Sequence, residues 1–244
     1  MSSGSKVSEV PPEITRWFAT QGWELRRHQQ KAIRAADEGQ HMLLVADTGS
    51  GKTLAGFLPT LADFTPSRQR AQLQPDGLHT LYVSPLKALS NDVARNLLKP
   101  VEEMGLPIRV ETRSGDTSNE RKRRQRTQPP HILLTTPESL SLMLSYPDSE
   151  QTFGGLKRIV IDEVHSFANS KRGDLLALCL SRLQSISPSL RRSALSATIA
   201  DPHEYSAWLA NSGERDSVML VEGEDGAPPL IEILLPNDQT IPWG

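Results

Sequence analysis

Along most of the chain, short apolar runs alternate with longer stretches in which apolar positions recur every three or four residues. A short run bounded by turn residues suits a strand, and the longer spacing suits one face of a helix. His41 to Val45, His79 to Val83, Ile108 to Glu111, His131 to Leu134, Arg158 to Ile161 and Ser193 to Leu195 read as strands. Thr53 to Phe64, Ala88 to Met104 and Asp174 to Ser185 read as amphipathic helices between them. This alternation predicts an α/β domain around a mostly parallel sheet. The strands are apolar on both faces, so helices should cover both sides. Ligands should then bind where the C-terminal ends of strands run into loops. Ahead of this core, Glu13 to Ala36 reads as a helical preface; behind it, Asp201 to Ala210 reads as one more helix. GEDGAPP then reads as a turn and LIEILLP as a strand-like run, and the stop at IPWG predicts a boundary inside a linker.

Candidate chemistry falls at the predicted strand ends. In HMLLVADTGSGKTLAGFLP a strand runs into ADTGSGKT and a helix follows from Thr53. Gly49 and Gly51 permit positive φ, which lets backbone N–H groups converge on phosphate oxygens. The helix that follows directs its N-terminal donors at the same point. Thr48, Gly49, Ser50, Gly51, Lys52 and Thr53 therefore form a candidate phosphate loop, with Lys52 reaching the β- and γ-phosphates and the Thr53 hydroxyl available to Mg²⁺. Ala46 stands in the first position, where the generic pattern has glycine.

LKRIVIDEVH supplies a second half. An apolar strand ends at Asp162, whose carboxylate suits the Mg²⁺ sphere, and Glu163 is suited to orient or deprotonate an attacking water. An acidic surface turn after an edge strand is the plain alternative, and the neighbouring phosphate loop weighs against it.

ADTGSGKT, DEVH and the later SAT together resemble the first RecA-like domain of superfamily 2 helicases of the DExH type. Further segments fall in that family's order. RRHQQKAI resembles the adenine-sensing Q motif, with Gln29 in the base-reading position; VSPLKALSND resembles motif Ia, TTPESL motif Ib and LSATI motif III. The resemblance implies a RecA-like P-loop NTPase fold and an ATP-dependent helicase that uses ATP and Mg²⁺. It implies that Ser84, Pro85 and Lys87, and Thr136, Pro137 and Glu138, meet single-stranded DNA, with RNA as the alternative. Ser196 and Thr198 would couple hydrolysis to that side, and His165 would contact their motif. Within the superfamily, SPLKALSND, SGDTSNERKRRQR, TTPESLSLML and DEVHSFANSKRG look most like the large-helicase-related (Lhr) subfamily. LIEILLPNDQTIPWG is similar to its ligase-associated DNA-repair branch, which implies 3′-to-5′ movement in a repair setting.

On this resemblance residues 1–24 form the preface, 25–212 the first motor domain, and 213–244 a strand or linker toward a second RecA-like domain. That second domain, with motifs IV to VI and their arginine fingers, has no counterpart here. An arginine finger contributes roughly 10³- to 10⁵-fold, so the chain alone should hydrolyse ATP weakly. A nucleotide-dependent binding module without turnover is the rival reading; SAT, DEVH and motif Ia argue against a metabolite kinase.

Composition and charge modify this picture in a few places. A net charge of −2 provides no global field for nucleic acid, so contacts must be local. ERKRRQR is the only dense basic run; it follows Thr117 with Glu120 three residues later, which predicts a capping box opening a helix whose charges are mostly a solvated face. Trp17 and Trp23 read as core packing in preference to adenine contacts, and the lone Cys179 as a core residue that leaves no internal disulfide. No apolar run approaches the roughly 18 residues of a membrane span, and MSSGSKVSEVPPEI lacks the apolar core of a signal peptide. The expectation is a monomeric cytoplasmic protein associated with the nucleoid and without a membrane partner.

Overall fold

The structure, a computed structural model, describes residues 10–69, 77–85, 93, 97–167, 170–197, 199, 201–210 and 218–223. The described strands are β1 (His41–Val45), β2 (Thr80–Val83), β3 (Val110–Arg113), β4 (Ile132–Thr135), β5 (Arg158–Ile161), β6 (Arg191–Ser196) and β7 (Val218–Glu222). They form one sheet in the order β3-β4-β2-β5-β6-β1-β7, and every pairing is parallel. The helices are α1 (Pro12–Thr20), α2 (Arg27–Asp37), α3 (Lys52–Asp63), α4 (Pro66–Gln69), α5 (Asn119–Thr127), α6 (Pro137–Leu144), α7 (Ser149–Phe153), α8 (Lys171–Ile186) and α9 (Pro202–Leu209).

Strand alternation divides the core in two. Met42, Leu44, Tyr82, Leu134, Val160 and Leu195 face one side and pack with α1, α2 and α3. Their neighbours Leu43, Leu81, Val83, Leu133, Ile159, Ile161 and Ala194 face the other and pack with α6, α7, α8 and α9. Successive side chains of a strand point to opposite faces, so strands apolar throughout become two buried surfaces, as the pattern predicted. Cys179 lies buried in the second.

Several boundaries differ from the sequence expectation for local reasons. Glu13 to Ala36 is two helices, broken where Gly22 takes φ +71°. Trp17 packs edge-on against Phe18 and Trp23, and its Nε1 donates to Glu103 Oε2 at 2.7 Å, so α1 belongs to the first core; Trp23 itself stays half exposed. Strand β3 begins two residues later than expected. The cap of α5 is Ser118, which accepts from Arg121 N–H; Thr117 instead accepts from Ser114 N–H and closes the preceding turn, so the expected box on Thr117 is absent. Strand β7, missed in the sequence, lies beyond residue 212 and pairs with β1 from His41↔Val218 to Val45↔Glu222. Of the helix expected over Ala88 to Met104, residues 97–103 are helical and most of the rest, like LIEILLP and IPWG, lies outside the described residues.

Candidate nucleotide and strand site

The loops after β1, β2, β4, β5 and β6 all leave the same edge of the parallel sheet, and most of the sequence-predicted residues that are described lie on them or, like Ser196, at the strand end; Gln29 lies on α2. After β1, Gly49 and Gly51 take φ +80° and +81°, and Gly51 is the left-handed cap from which α3 starts at Lys52. A side chain at Gly51 would also strike Gln29, whose Nε2 lies 2.9 Å from where a Cβ would stand. The adenine-sensing candidate therefore rests directly on the phosphate loop. Arg26, which sequence reasoning passed over, holds the same loop: its Nη1 donates to Ser50 O at 2.7 Å, and its own N–H donates to Gln29 Oε1. Ser50 is buried and its hydroxyl lacks a protein partner, a polar orphan that a phosphate oxygen would satisfy. Thr48 is exposed and Thr53 half-buried at the loop's two ends.

The departure at Ala46 has a structural counterpart. Gly223, directly after β7, donates its N–H to Val45 O at 2.7 Å, and a Cβ there would come within 2.4 Å of Ala46 Cβ. The methyl group at the start of the loop occupies the space left by the glycine beside it.

Strand β5 brings Asp162 and Glu163 to the loop. Asp162 continues the strand on the face of Val160 and Tyr82, which explains its partner: the buried Tyr82 hydroxyl donates to Asp162 Oδ2, and Glu163 N–H donates to Oδ1 at 3.0 Å. Burial, with the Asp162 charge next in weight, pushes the Tyr82 phenol far up, so it remains a donor. Burial also pushes Asp162 up, against the lowering pull of that hydroxyl. A carboxylate so placed gains from a cation at its side. Together with the Thr53 hydroxyl it is a donor set of the kind Mg²⁺ uses, one or two protein oxygens with phosphates supplying others.

Glu163 is the single non-glycine residue with positive φ among the described residues, at φ +48°. This left-handed residue opens the turn Val164–Ser166, and its Oε1 lies 3.7 Å from the buried Lys52 Nζ. His165 Nδ1 lies 3.4 Å from Glu163 Oε2 and 2.8 Å from Ser196 Oγ at the end of β6, so the histidine bridges the acid pair and the SAT segment. Thr198 falls outside the described residues, as does Lys87.

After β2 and β4, Ser84 and Pro85 stand beside Thr136, Pro137 and Glu138, with Ser84 N–H bonded to Thr135 O. Thr136 caps α6 by accepting from Ser139 N–H, and Pro137 fills its first turn. The Glu138 side chain is engaged by Arg172, a residue that sequence reasoning passed over. The basic helix α5 is mostly tied down: Lys122 donates to Gly115 O, Arg124 pairs with Glu111 and Arg126 with Asp148.

Comparison with known proteins agrees with this geometry. The DEAD/DEAH box helicase family model matches residues 26–205. The ATP-dependent helicase Lhr-Core of Methanothermobacter thermautotrophicus is 37% identical over 98% of this chain, and the Lhr helicase/probable uracil glycosylase of Mycolicibacterium smegmatis 43% identical over 80%. The chain spans only 29% and 13% of the lengths of these two relatives. A solved structure of the Mycobacterium smegmatis helicase Lhr bound to ssDNA and AMP-PNP superposes with a TM-score of 0.74 at 38% identity, covering 86% of this chain and 27% of that one. A candidate phosphate loop, an acidic pair facing its lysine and a parallel RecA-like sheet thus meet in a chain that belongs to the DEAD/DEAH box helicase family, with strong likeness to Lhr helicases.

Proposed function

We propose that this chain is the ATP-binding motor domain of an ATP-dependent DNA helicase that moves 3′-to-5′ along single-stranded DNA in repair, with RNA as the alternative track. The observation that carries the reading is the approach of Glu163 to Lys52 across the phosphate loop, 3.7 Å apart, with Asp162 buried alongside. In this reading the N–H groups of Thr48 to Gly51 and the start of α3 receive the phosphates. Lys52 neutralises charge at the β- and γ-phosphates, Gln29 reads the adenine edge, and Glu163 orients the water that attacks in line. Thr53 and Asp162 would hold Mg²⁺, which supplies further charge neutralisation on the phosphate oxygens. His165, Ser196 and Thr198 relay the state of this centre to the strand side. There Ser84, Pro85, Lys87, Thr136, Pro137 and the start of α6 at Glu138 meet backbone phosphates, a contact that reads no sequence. A second RecA-like domain completes the track, and the motor acts as a monomer in the cytoplasm beside the nucleoid.

Glu163→Gln tests the assignment, because it keeps shape and removes the charge that orients water. Titration with a fluorescent ATP analogue should give affinity within about twofold of wild type, while turnover falls by about 10² or more. Lys52→Ala should instead lose affinity together with turnover. Wild-type turnover in Glu163→Gln overturns the catalytic role, and unchanged affinity in Lys52→Ala overturns the loop.

A further inference from the structure

One side chain ties three segments far apart in sequence. Arg172 Nε and Nη2 donate to Glu138 Oε1 and Oε2 at 2.6 and 3.2 Å, a two-pronged grip on the first turn of α6. Its Nη1 donates to Pro85 O at 2.9 Å, in the loop after β2. Its guanidinium carbon lies 5.8 Å from the ring centre of Phe167, the buried residue that ends the turn after DEVH. Arg172 is held there by the start of its own helix. Ser170 caps α8 by accepting from Gly173 N–H, and donates its hydroxyl to Phe167 O at 2.7 Å. A Cβ on Gly173 would come within 2.0 Å of that same Phe167 oxygen, so only glycine lets α8 press this closely on the acidic segment.

We propose that Arg172 is a positioning residue that clamps the loop after β2 and the start of α6 to the exit of the DEVH segment, and so couples strand binding to the nucleotide site. The inference rests on the reading of those loops as the strand-binding edge. Arg172 and Glu138 side chains are 41% and 53% exposed, so the ion pair contributes little to stability. What the pair provides is geometry: a planar fork fixes two directions at once, which a lysine cannot do. Pro85 O anchors the third donor, so the loop and the helix start move with α8 or not at all. A shift of the acidic segment on ATP binding then reaches both strand contacts through one side chain. Glu138 gains a role that suits its charge, since its carboxylate would repel a phosphate and instead braces the arginine.

The test is a linkage measurement on the full chain, using fluorescence anisotropy with labelled oligo-dT and titration with a fluorescent ATP analogue, each with and without the other. Wild type should bind each ligand more tightly in the presence of the other, by the same factor. Arg172→Ala should bring that factor close to one and weaken oligo-dT binding about three- to tenfold. The log–log salt slope should not change, because the guanidinium touches carboxylate and carbonyl, not phosphate; losing a phosphate contact would cut the slope by about 0.7. Arg172→Lys should recover only part of the coupling, and Glu138→Gln should lose part of it. The double variant Arg172→Ala with Glu138→Ala should be no worse than Arg172→Ala alone. If Arg172→Ala proves unfolded by its thermal melt, Arg172→Lys and Glu138→Gln carry the same test. Wild-type coupling in these variants, or a reduced salt slope, overturns the inference alone. Failure of the unsubstituted chain to bind oligo-dT overturns the strand-site reading on which it stands.

Discussion

Single residues in this domain are constrained mostly by what approaches them. Ala46 and Gly223 show this most directly, because the two share one space: a methyl group on the first position of the loop stands where a second methyl on its neighbour would come within 2.4 Å. Gly223→Ala should therefore push β7 away from the start of the phosphate loop. Overpacking of this kind costs about 1–3 kcal/mol, visible as a lower midpoint in urea and as weaker nucleotide binding. Ala46→Gly, which restores the generic loop pattern, should recover most of the loss when combined with Gly223→Ala. An equal loss in the single and double variants would show that the two positions are independent. Tyr82 and Arg26 are constrained in the same way. Each has one polar group pointed at the nucleotide site, and each is bound to a neighbour there: Tyr82 to Asp162 and Arg26 to Ser50 O.

Among the elements, three strands begin at or just after a histidine, at the edge opposite the candidate nucleotide site. His41 opens β1, and His79 and His131 immediately precede β2 and β4. His41 Nδ1 accepts from Arg192 N–H at 3.0 Å, and His131 Nδ1 accepts from Arg109 N–H at 2.9 Å, so imidazoles satisfy donors where the ladders begin. A ring nitrogen that accepts from a backbone N–H must be unprotonated there. Burial, followed by Arg192 and Arg191, pushes His41 down from 6.5 to about 4. Burial likewise lowers His79, despite the opposing pull of Asp63. Between these values the unfolded chain binds more protons than the folded one, so stability falls as pH falls. The contribution of His41 is complete above about 6.5 and is lost as pH drops through about 4. Asp63 acts lower: its burial, which would raise it, is outweighed by Arg158 and by His79 Nε2 at 3.3 Å, which hold it at about 2, so its contribution is lost only between about 4 and 2. Thermal melts should thus show a declining midpoint from pH 7 to pH 4. His41→Gln, whose amide oxygen can still accept from Arg192, should flatten that decline, and an undiminished slope in it would exclude His41 as the titrating group.

At the scale of the whole molecule, the sheet gathers the chemistry on one edge without giving it a strong field. The net charge is −2, and much of the basic helix α5 is spent on Glu111, Asp148 and Gly115 O. Strand binding by this chain should accordingly be weak and shallow in its salt dependence. Two or three cationic contacts give a log–log slope of about −1.4 to −2.1 for single strands. Strand displacement should be undetectable from residues 1–244 taken alone, since unwinding needs one motor domain to move against another and the described residues form one sheet. Anisotropy across a salt series, beside a strand-displacement assay, checks both. A slope of about −4 or steeper, or ATP-driven separation of strands, would mean that cations of α5 such as Arg121 and Arg123 join the track or that the domain acts alone.

What the sequence by itself determined was local. The candidate phosphate loop with its left-handed glycines, the acidic pair at the end of β5, Pro137 opening α6 and the two-faced strands are each written in contiguous residues, because turn glycines, caps and strand alternation act over a few positions. Local pattern failed where two neighbours could serve equally, as with Thr117 and Ser118, or where an edge strand was short and partly exposed, as with β7. Tertiary structure alone decided the convergences. Tyr82 lies in an apolar run read only as a strand, yet its hydroxyl reaches Asp162 eighty residues on; Arg172 carries no signal in its neighbours, yet it grips Pro85 and Glu138. Parallel pairing joins strands by long crossovers, so the strand order β3-β4-β2-β5-β6-β1-β7, and with it the choice of which loops meet, follows from packing both apolar faces at once. No window of adjacent residues carries that information.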